Sequence, residues 1–442
     1  MKIRLSDHFN FQKLFRFTLP SVVMMVFTSI YGVVDGFFVS NFVGKTPFAA
    51  VNFIMPFLMI LGAVGFMFGT GGSALIAKTL GEGDNKRAQQ LFSLFVYASG
   101  ASGVVIAILG FVFIRPVAVW LGADGPMLEG CVLYGRVILL SLPMLMLQYE
   151  FQSFFITAAK PQLGLAVTLA AGFTNMALDA LFTAVLPWGL AGAAAATSIS
   201  QFIGGVIPLF YFARKNTSLL RLRKAPLDGR ALWKACTNGS SELMSNISMS
   251  IVSMLYNAQL IQYAGEDGIA AYGVLMYVNL VFLSIFIGYS TGIAPVVGFH
   301  FGAGNQGELH SLYRKSLVLI LASSAAMLAL AELLAQPLSA LFVRYDQGLY
   351  HMTVHAFGIY SFSFLFAGLA IFGSSFFTAL NDGLTSALIA FLRTLVFQVA
   401  AVLLFPLLWG IEGVWLSIVA AEAMAAAATA VFLACKKKKY HY

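Results

Sequence analysis

The chain has 442 residues, 60% of them hydrophobic and only 10% charged, with a net charge of +8 and a mean hydropathy of +0.86. Soluble domains carry about 25% charged residues, so a globule that faces water on all sides is excluded. The positive balance does not indicate a nucleic-acid partner, because the basic residues are dispersed through the connections between apolar blocks.

Twelve apolar blocks follow one another, at about 14–40, 48–75, 91–114, 131–157, 163–185, 190–213, 235–262, 269–297, 312–335, 352–379, 385–408 and 412–434. Each exceeds the roughly 18 residues that cross a hydrocarbon core about 30 Å thick. None shows the apolar/polar alternation of outer-membrane barrel strands. The expected fold class is an all-α polytopic membrane protein with twelve transmembrane helices. The opening MKIRLSDHFNFQKLFRF lacks the apolar core and small-residue cleavage site of a signal peptide. With the N-terminus inside, 21 of the 26 basic residues fall on the inner side, including Lys2 and Lys436 to Lys439. Lys45, Arg115 and Arg344 fall outside, and Arg136 and Arg393 lie within spans. That asymmetry predicts both termini in the cytoplasm and a multi-pass protein of the inner (cytoplasmic) membrane in contact with its lipids. Cys131, Cys236 and Cys435 form no metal motif and are expected to be free thiols.

The second six blocks repeat the first at an offset of 221. Gly44 falls on Gly265, Thr70-Gly71 on Thr291-Gly292, Pro116 on Pro337, Ala158 on Ala379 and Trp188-Gly189 on Trp409-Gly410; LGEGD matches FGAGN. An even number of spans per copy makes these parallel repeats, related by an axis along the membrane normal. The expected domains are an N-terminal six-helix bundle over 1–213, a cytoplasmic linker over 214–234 and a C-terminal six-helix bundle over 235–442. Two such bundles with a cleft between them fit a transporter that rocks between inward- and outward-open states.

Ionisable residues inside a span cost about 2.5–3.5 kcal/mol on insertion scales and normally face a cavity or a partner. The candidates in chain order are Asp35, Glu150, Asp179, Glu242, Arg393 and Glu422. Asp35 lies nine residues before Gly44 and Asp179 eight before Pro187, so both sit roughly 12–14 Å below the outer ends of their helices. Tyr31 is one turn from Asp35, Asn175 is one turn from Asp179, and Thr197 on the returning helix comes level with them. Oxygen groups at one depth suit Na⁺, held by Asp35, Asn175 and Asp179. They suit a proton equally, since two poorly solvated carboxylates repel and one is expected to keep a proton. The repeat replaces Asp35, Asn175 and Asp179 by Tyr256, Val396 and Ala400, so coupling chemistry is expected in the first bundle only. Glu150 and Arg393 lie at similar depths from the inner face and are expected to pair between bundles as a gate. Pro20, on the helix of Asp35, is expected to let that helix bend.

The run VDGFFVSNFVG (34–44), then FGTGGSALIAKTLGEGDNKRA (68–88) and AAKPQ (158–162), resembles the multidrug and toxic compound extrusion (MATE) family, in its DinF-like and MepA-like branch. The resemblance implies a V-shaped two-lobe exporter that exchanges amphipathic, often cationic, drug-like molecules for H⁺ or Na⁺. It also implies a cation- or proton-coupling network at Asp35, Asn175, Asp179, Thr197 and Tyr134, with Tyr31, Asp35 and Glu242 toward substrate. Span ten has no acid, unlike the NorM-like branch, which favours the N-lobe mechanism. The function expected is therefore a secondary active antiporter working by alternating access, a monomer with no cofactor beyond its coupling ion. A flippase of lipid-linked sugars is the alternative, and it would favour a more basic cavity. An intramembrane enzyme is not expected: there is no H-E-x-x-H, and all six histidines lie at or near interfaces.

Overall fold

A computed structural model describes residues 3–442 except Tyr345; Lys2 and the side chain of Lys45, both counted above, lie outside the described residues. The described chain is almost entirely helical. Helices α1 Phe11–Val43, α2 Thr46–Gly81, α3 Asn85–Leu121, α4 Gly125–Thr157, α5 Pro161–Val185 and α6 Gly189–Ala213 form the first bundle. The continuous stretch Gly229–Gly302 holds α7 (229–264) and α8 (266–302), broken where Gly265 takes φ 63°. Helix α9 is Gln306–Val343, and α10 is the pair Gln347–Tyr360 and Ser363–Ala379, bent by 48°. Gly383–Tyr440 holds α11 (383–409) and α12 (411–440), broken at Gly410 with φ 58°. The twelve expected spans are thus present in two six-helix bundles.

Polar side chains start the helices on the face that holds both termini, here the terminal face. Asn10, Asp84, Asn305 and Asp382 each accept a hydrogen bond from a first-turn amide of α1, α3, α9 and α11, where helical N–H groups lack partners. Asp228 does the same for α7, accepting from the Arg230 and Ala231 amides at 3.0 Å each. That cap starts α7 at Gly229, before the position 235 expected from composition, because the charged first turn reads as linker in sequence.

The repeat is visible in the backbone. Glycines at positive φ recur 221 residues apart at Gly44/Gly265, Gly83/Gly304 and Gly189/Gly410. Between Pro337 and Gly410 the register slips by one. The caps Asp124 and Asp346 and the left-handed residues Ala159 and Asn381 are 222 apart, so Ala158 corresponds to Leu380 and not to Ala379. Neither register gives the second bundle an acid opposite Asp179.

The two bundles meet at the terminal face and part toward the opposite, distal face. One apolar core is shared by both there, from Leu5, Phe9, Phe92 and Phe154 to Phe286, Val296, Phe376 and Tyr442. Farther out it is replaced by two separate cores, one per bundle. The join depends on glycines. A Cβ on Gly71 would stand 1.9 Å from the Ala235 carbonyl oxygen, and one on Gly239 1.9 Å from that of Met67. The repeat-related Gly81 and Gly302 would each meet a carbonyl oxygen, of Phe299 and Lys78, at 2.0 Å. Polar contacts reinforce it. The Phe9 amide donates to Glu308 Oε1 at 2.9 Å, Lys315 Nζ to the Phe9 carbonyl at 2.5 Å, and Arg87 pairs with Asp228. At mid-depth Ser29 bonds Ser284. Distal to that pair no hydrogen bond joins the bundles among the described residues, leaving a cleft open to the distal face.

Candidate functional site

Asp35 on α1 and Asp179 on α5 are both buried, at 9% and 0% exposure. Their carboxyls are close neighbours, with the Thr197 side chain beside Asp35. Asn175 Nδ2 stands 3.5 Å from Thr197 Oγ1, and the fully buried Tyr134 of α4 lies beside the same residue. Five residues from α1, α4, α5 and α6 therefore converge at one depth, as the counting of turns requires.

Local winding changes at this point. Helix α1 passes from α to π geometry over Val39–Val43, one turn after Asp35. Helix α5 does so at Ala180–Val185, immediately after Asp179. A π segment widens the turn and redirects the side chains beside it, and such segments recur at functional sites. The third one, Leu392–Val396, contains Arg393.

The polar cluster is incomplete in itself. Asp35 Oδ1, both Asp179 oxygens and the Tyr134 hydroxyl are buried without a hydrogen-bond partner. Two adjacent carboxylates cannot both stay charged unaided in a low-dielectric site: the pair takes up a proton, or a cation lies between them. The donor set is oxygen with one amide, which fits a hard monovalent cation as well as a proton. No group of three or more His, Cys, Asp or Glu suited to a metal occurs among the described residues.

Beside the acids lies an aromatic wall. Tyr31 is half-buried and packs over Gly172, where a Cβ would stand 3.1 Å from its ring. Phe27 sits against Tyr31 and Phe173, and Tyr149 stacks on Phe66 with centroids 3.9 Å apart. The sequence offered Tyr31 through its spacing from Asp35. Tyr149 and Phe66 had no comparable signal among 41 Phe and 16 Tyr. Glu242 is half-buried one turn beyond Gly239, where α7 crosses α2. It stands at the floor of the cleft and makes no hydrogen bond or ion pair with either aspartate.

The expected pair of Glu150 with Arg393 is not formed. Arg393 Nε and Nη2 engage Glu422 Oε2 and Oε1 at 2.9 and 3.0 Å, with both side chains largely buried. Glu150 is fully buried inside the first bundle, against Gly69 of α2 and toward Ser99 of α3. The two residues face into different bundles, Glu150 toward α2 and α3 and Arg393 toward Glu422 of α12. The Arg393–Glu422 pair belongs to a polar cluster in the second bundle, where Tyr256, the repeat partner of Asp35, bonds Gln398 and Ser417 at 2.8 and 3.0 Å. The second bundle thus has a charged pair of its own, internally neutralised.

Fold and site together define a polytopic membrane protein of the two-bundle transporter class. A family model described as MatE matches residues 20–181 and 243–404, once in each bundle, and the chain belongs to that family. It is 24% identical to the multidrug export protein MepA of Staphylococcus haemolyticus, over 94% of this chain and 91% of that protein. It is 23% identical to the MepA of a Staphylococcus aureus strain, over 95% and 92%. Among solved structures it is similar to an outward-facing multidrug resistance MATE family transporter of the MOP superfamily, with a TM-score of 0.92, 23% identity and coverage of 98% and 97%.

Proposed function

We propose that the protein is a secondary active antiporter that exports amphipathic, often cationic, molecules in exchange for H⁺ or Na⁺, with the terminal face in the cytoplasm. The observation that carries this reading is the pair Asp35–Asp179, two buried neighbouring carboxyls with unpartnered oxygens, beside an aromatic wall. An apolar cation entering the cleft finds π faces and negative charge at Asp35. A proton or Na⁺ that neutralises the acids from the distal side removes that attraction. Substrate and coupling ion thus contend for one charge, the requirement for exchange. Glu242 at the cleft floor is positioned to meet substrate from the second bundle. Pro20 lies in α1 directly before the join at Ser21 and Val22, fifteen residues before the acid at Asp35, so a change of charge at Asp35 can be taken up by bending of α1.

Inward and outward states alternate through the glycine join. Membership of the MatE family and the MepA relatives support multidrug export. Bundles joined at the terminal face and separate toward the distal face support alternating access. The flippase reading loses ground, because a pyrophosphate needs free cations in the cavity. Arg393 is neutralised by Glu422, and Arg136 is exposed on the bundle exterior over the Phe111 ring, 5.0 Å from its centroid.

The test is equilibrium binding of a fluorescent cation such as ethidium to the purified protein while pH and Na⁺ are varied separately. Affinity that falls as one of the two ions is raised, and no longer responds to it in Asp35→Asn, is expected. Affinity independent of both ions overturns the reading.

A further inference from the structure

Below the acid pair the first bundle contains a line of spaced polar and small residues, here the seam. On α5, Asp179, Asn175, Thr168 and Gly164 are buried on one face. On α6, Thr197 is followed toward the terminal face by Gln201, Gly204 and Pro208; on α4, Ser141 is followed by Gln148 and Gln152. Each of these series runs from the acids toward the terminal face with helical spacing. Ser141 Oγ donates to Gln201 Oε1 at 2.6 Å, directly below Thr197.

The seam ends in a small cavity lined by Gln148, Gln152, Thr168, Gly204, Pro208 and the apolar Phe151 and Phe155, among others. It leaves ≈ 10 Å³ for water centres, about the space of a single water. Gln148 and Gln152 are only 5% and 4% exposed, and Gln148 Oε1 and both polar atoms of the Gln152 amide have no partner. Gly204 allows the Gln148 amide to lie there, since a Cβ would stand 2.5 Å from its oxygen. Pro208 has no N–H to give the carbonyl four residues earlier, that of Gly204, so one more acceptor is released beside the cavity. Three unpartnered amide atoms and a released carbonyl in a core at mid-membrane depth are costly unless a water meets them.

We propose that this cavity holds water and is the inner station of a proton route that runs inside the first bundle, separate from the cleft that carries substrate. The proposal rests on the coupling reading above, with H⁺ as the ion. A proton leaves the Asp35–Asp179 pair as its carboxyl O–H breaks and a new O–H forms on a seam hydroxyl or water. Each relay group releases its own proton on the far side, and the last one passes to the cytoplasm. The amides carry no proton; they hold the waters in line. From Gln201 to Gly204, beside the Gln148 amide, is about one helical turn, roughly 5 Å, which one bridging water spans.

Two measurements test it. Radiolysis of bound water by X-ray pulses oxidises neighbouring side chains even when they are buried. Phe151 and Phe155 should be oxidised in the wild type, and the equally buried Phe286 of the second bundle should not. Oxidation of Phe151 and Phe155 no greater than at Phe286 overturns the proposal without any variant. In proteoliposomes loaded with pyranine, ethidium-driven proton flux should fall at least tenfold in Gln148→Leu/Gln152→Leu, and also in the near-isosteric Thr168→Val, with ethidium affinity unchanged. Wild-type flux in both variants overturns it. Asp179→Asn in the same assay separates the two claims: wild-type flux there defeats the coupling reading itself, while the oxidation of Phe151 and Phe155 still reports on the water.

Discussion

Closure of the terminal face should depend on Gly71 and Gly81 more than on any charged contact. A methyl on Gly71 meets the Ala235 carbonyl oxygen at 1.9 Å, and ordinary contact begins at 3.4 Å, so α2 and α7 must separate by 3.4 − 1.9 = 1.5 Å. At Gly81 the same subtraction against Phe299 gives 3.4 − 2.0 = 1.4 Å. Neither obstacle is a flexible side-chain tip; both are helix backbone, which cannot turn aside. Overpacking of this kind costs about 1–3 kcal/mol, and the cost falls only on the state in which the bundles touch. The expected shift toward the terminal-open state is therefore roughly 5- to 150-fold. The chain carries its own reporter: Cys236 is half-buried beside Ala235 at the join, Cys131 is buried, and the exposed Cys435 can be replaced by serine. In a Cys435→Ser background, maleimide supplied from the terminal face should label Cys236 faster in Gly71→Ala and Gly81→Ala. Gly100→Ala is the control, because a Cβ there has nothing within 4 Å. Equal Cys236 labelling in all four proteins would refute the reasoning.

Other outcomes follow from the charges. Arg393→Gln leaves Glu422 without its bidentate partner and should destabilise the protein by about 3–5 kcal/mol, read as a fall in thermal midpoint; Arg393→Gln/Glu422→Gln should recover most of it. Hydrogen bonds from the Ala231 amide and then the Arg87 guanidinium hold the Asp228 carboxyl below its ordinary 3.8. A depressed value means that the clamp is fully present above 3.8 and is lost only as pH falls through the lowered value. Asp228→Asn should thus speed labelling of Cys236 at every pH from about 5 to 8, leaving the shape of the transport pH profile unchanged. At Asp382 burial acts upward, but hydrogen bonds from Tyr440 and Thr385, with Lys436 nearby, prevail and hold the carboxyl low. Tyr440→Phe should accordingly loosen the C-terminal end of α12, seen as faster amide exchange over the last turns.

The twelve spans were legible because hydrocarbon thickness fixes their length, and the duplication was legible because glycines that need positive φ cannot drift. The one-residue slip near Asp346 was not, since an extra loop residue leaves no compositional mark. Depth was legible for the same reason as span length, and it placed Asp35, Asp179, Asn175 and Thr197 at one level. Facing was harder. In a helix that is apolar all round, no polar stripe reports which side is inward, so Glu150 and Arg393 were paired across bundles when each turns into its own. The Gln148–Gln152 cavity was hidden for that reason too, because neutral amides do not stand out as charges do. Glu422, one of the in-span acids singled out by composition, is the acid that neutralises Arg393.

The most direct measurement is export of a cationic dye from proteoliposomes with the pH gradient and the Na⁺ gradient imposed one at a time, for wild type, Asp35→Asn and Asp179→Asn. Wild-type export driven by one ion, and its loss in both variants with the protein still folded and inserted, is the expected result. Full gradient-driven export by either variant contradicts the assignment of coupling to the buried acid pair.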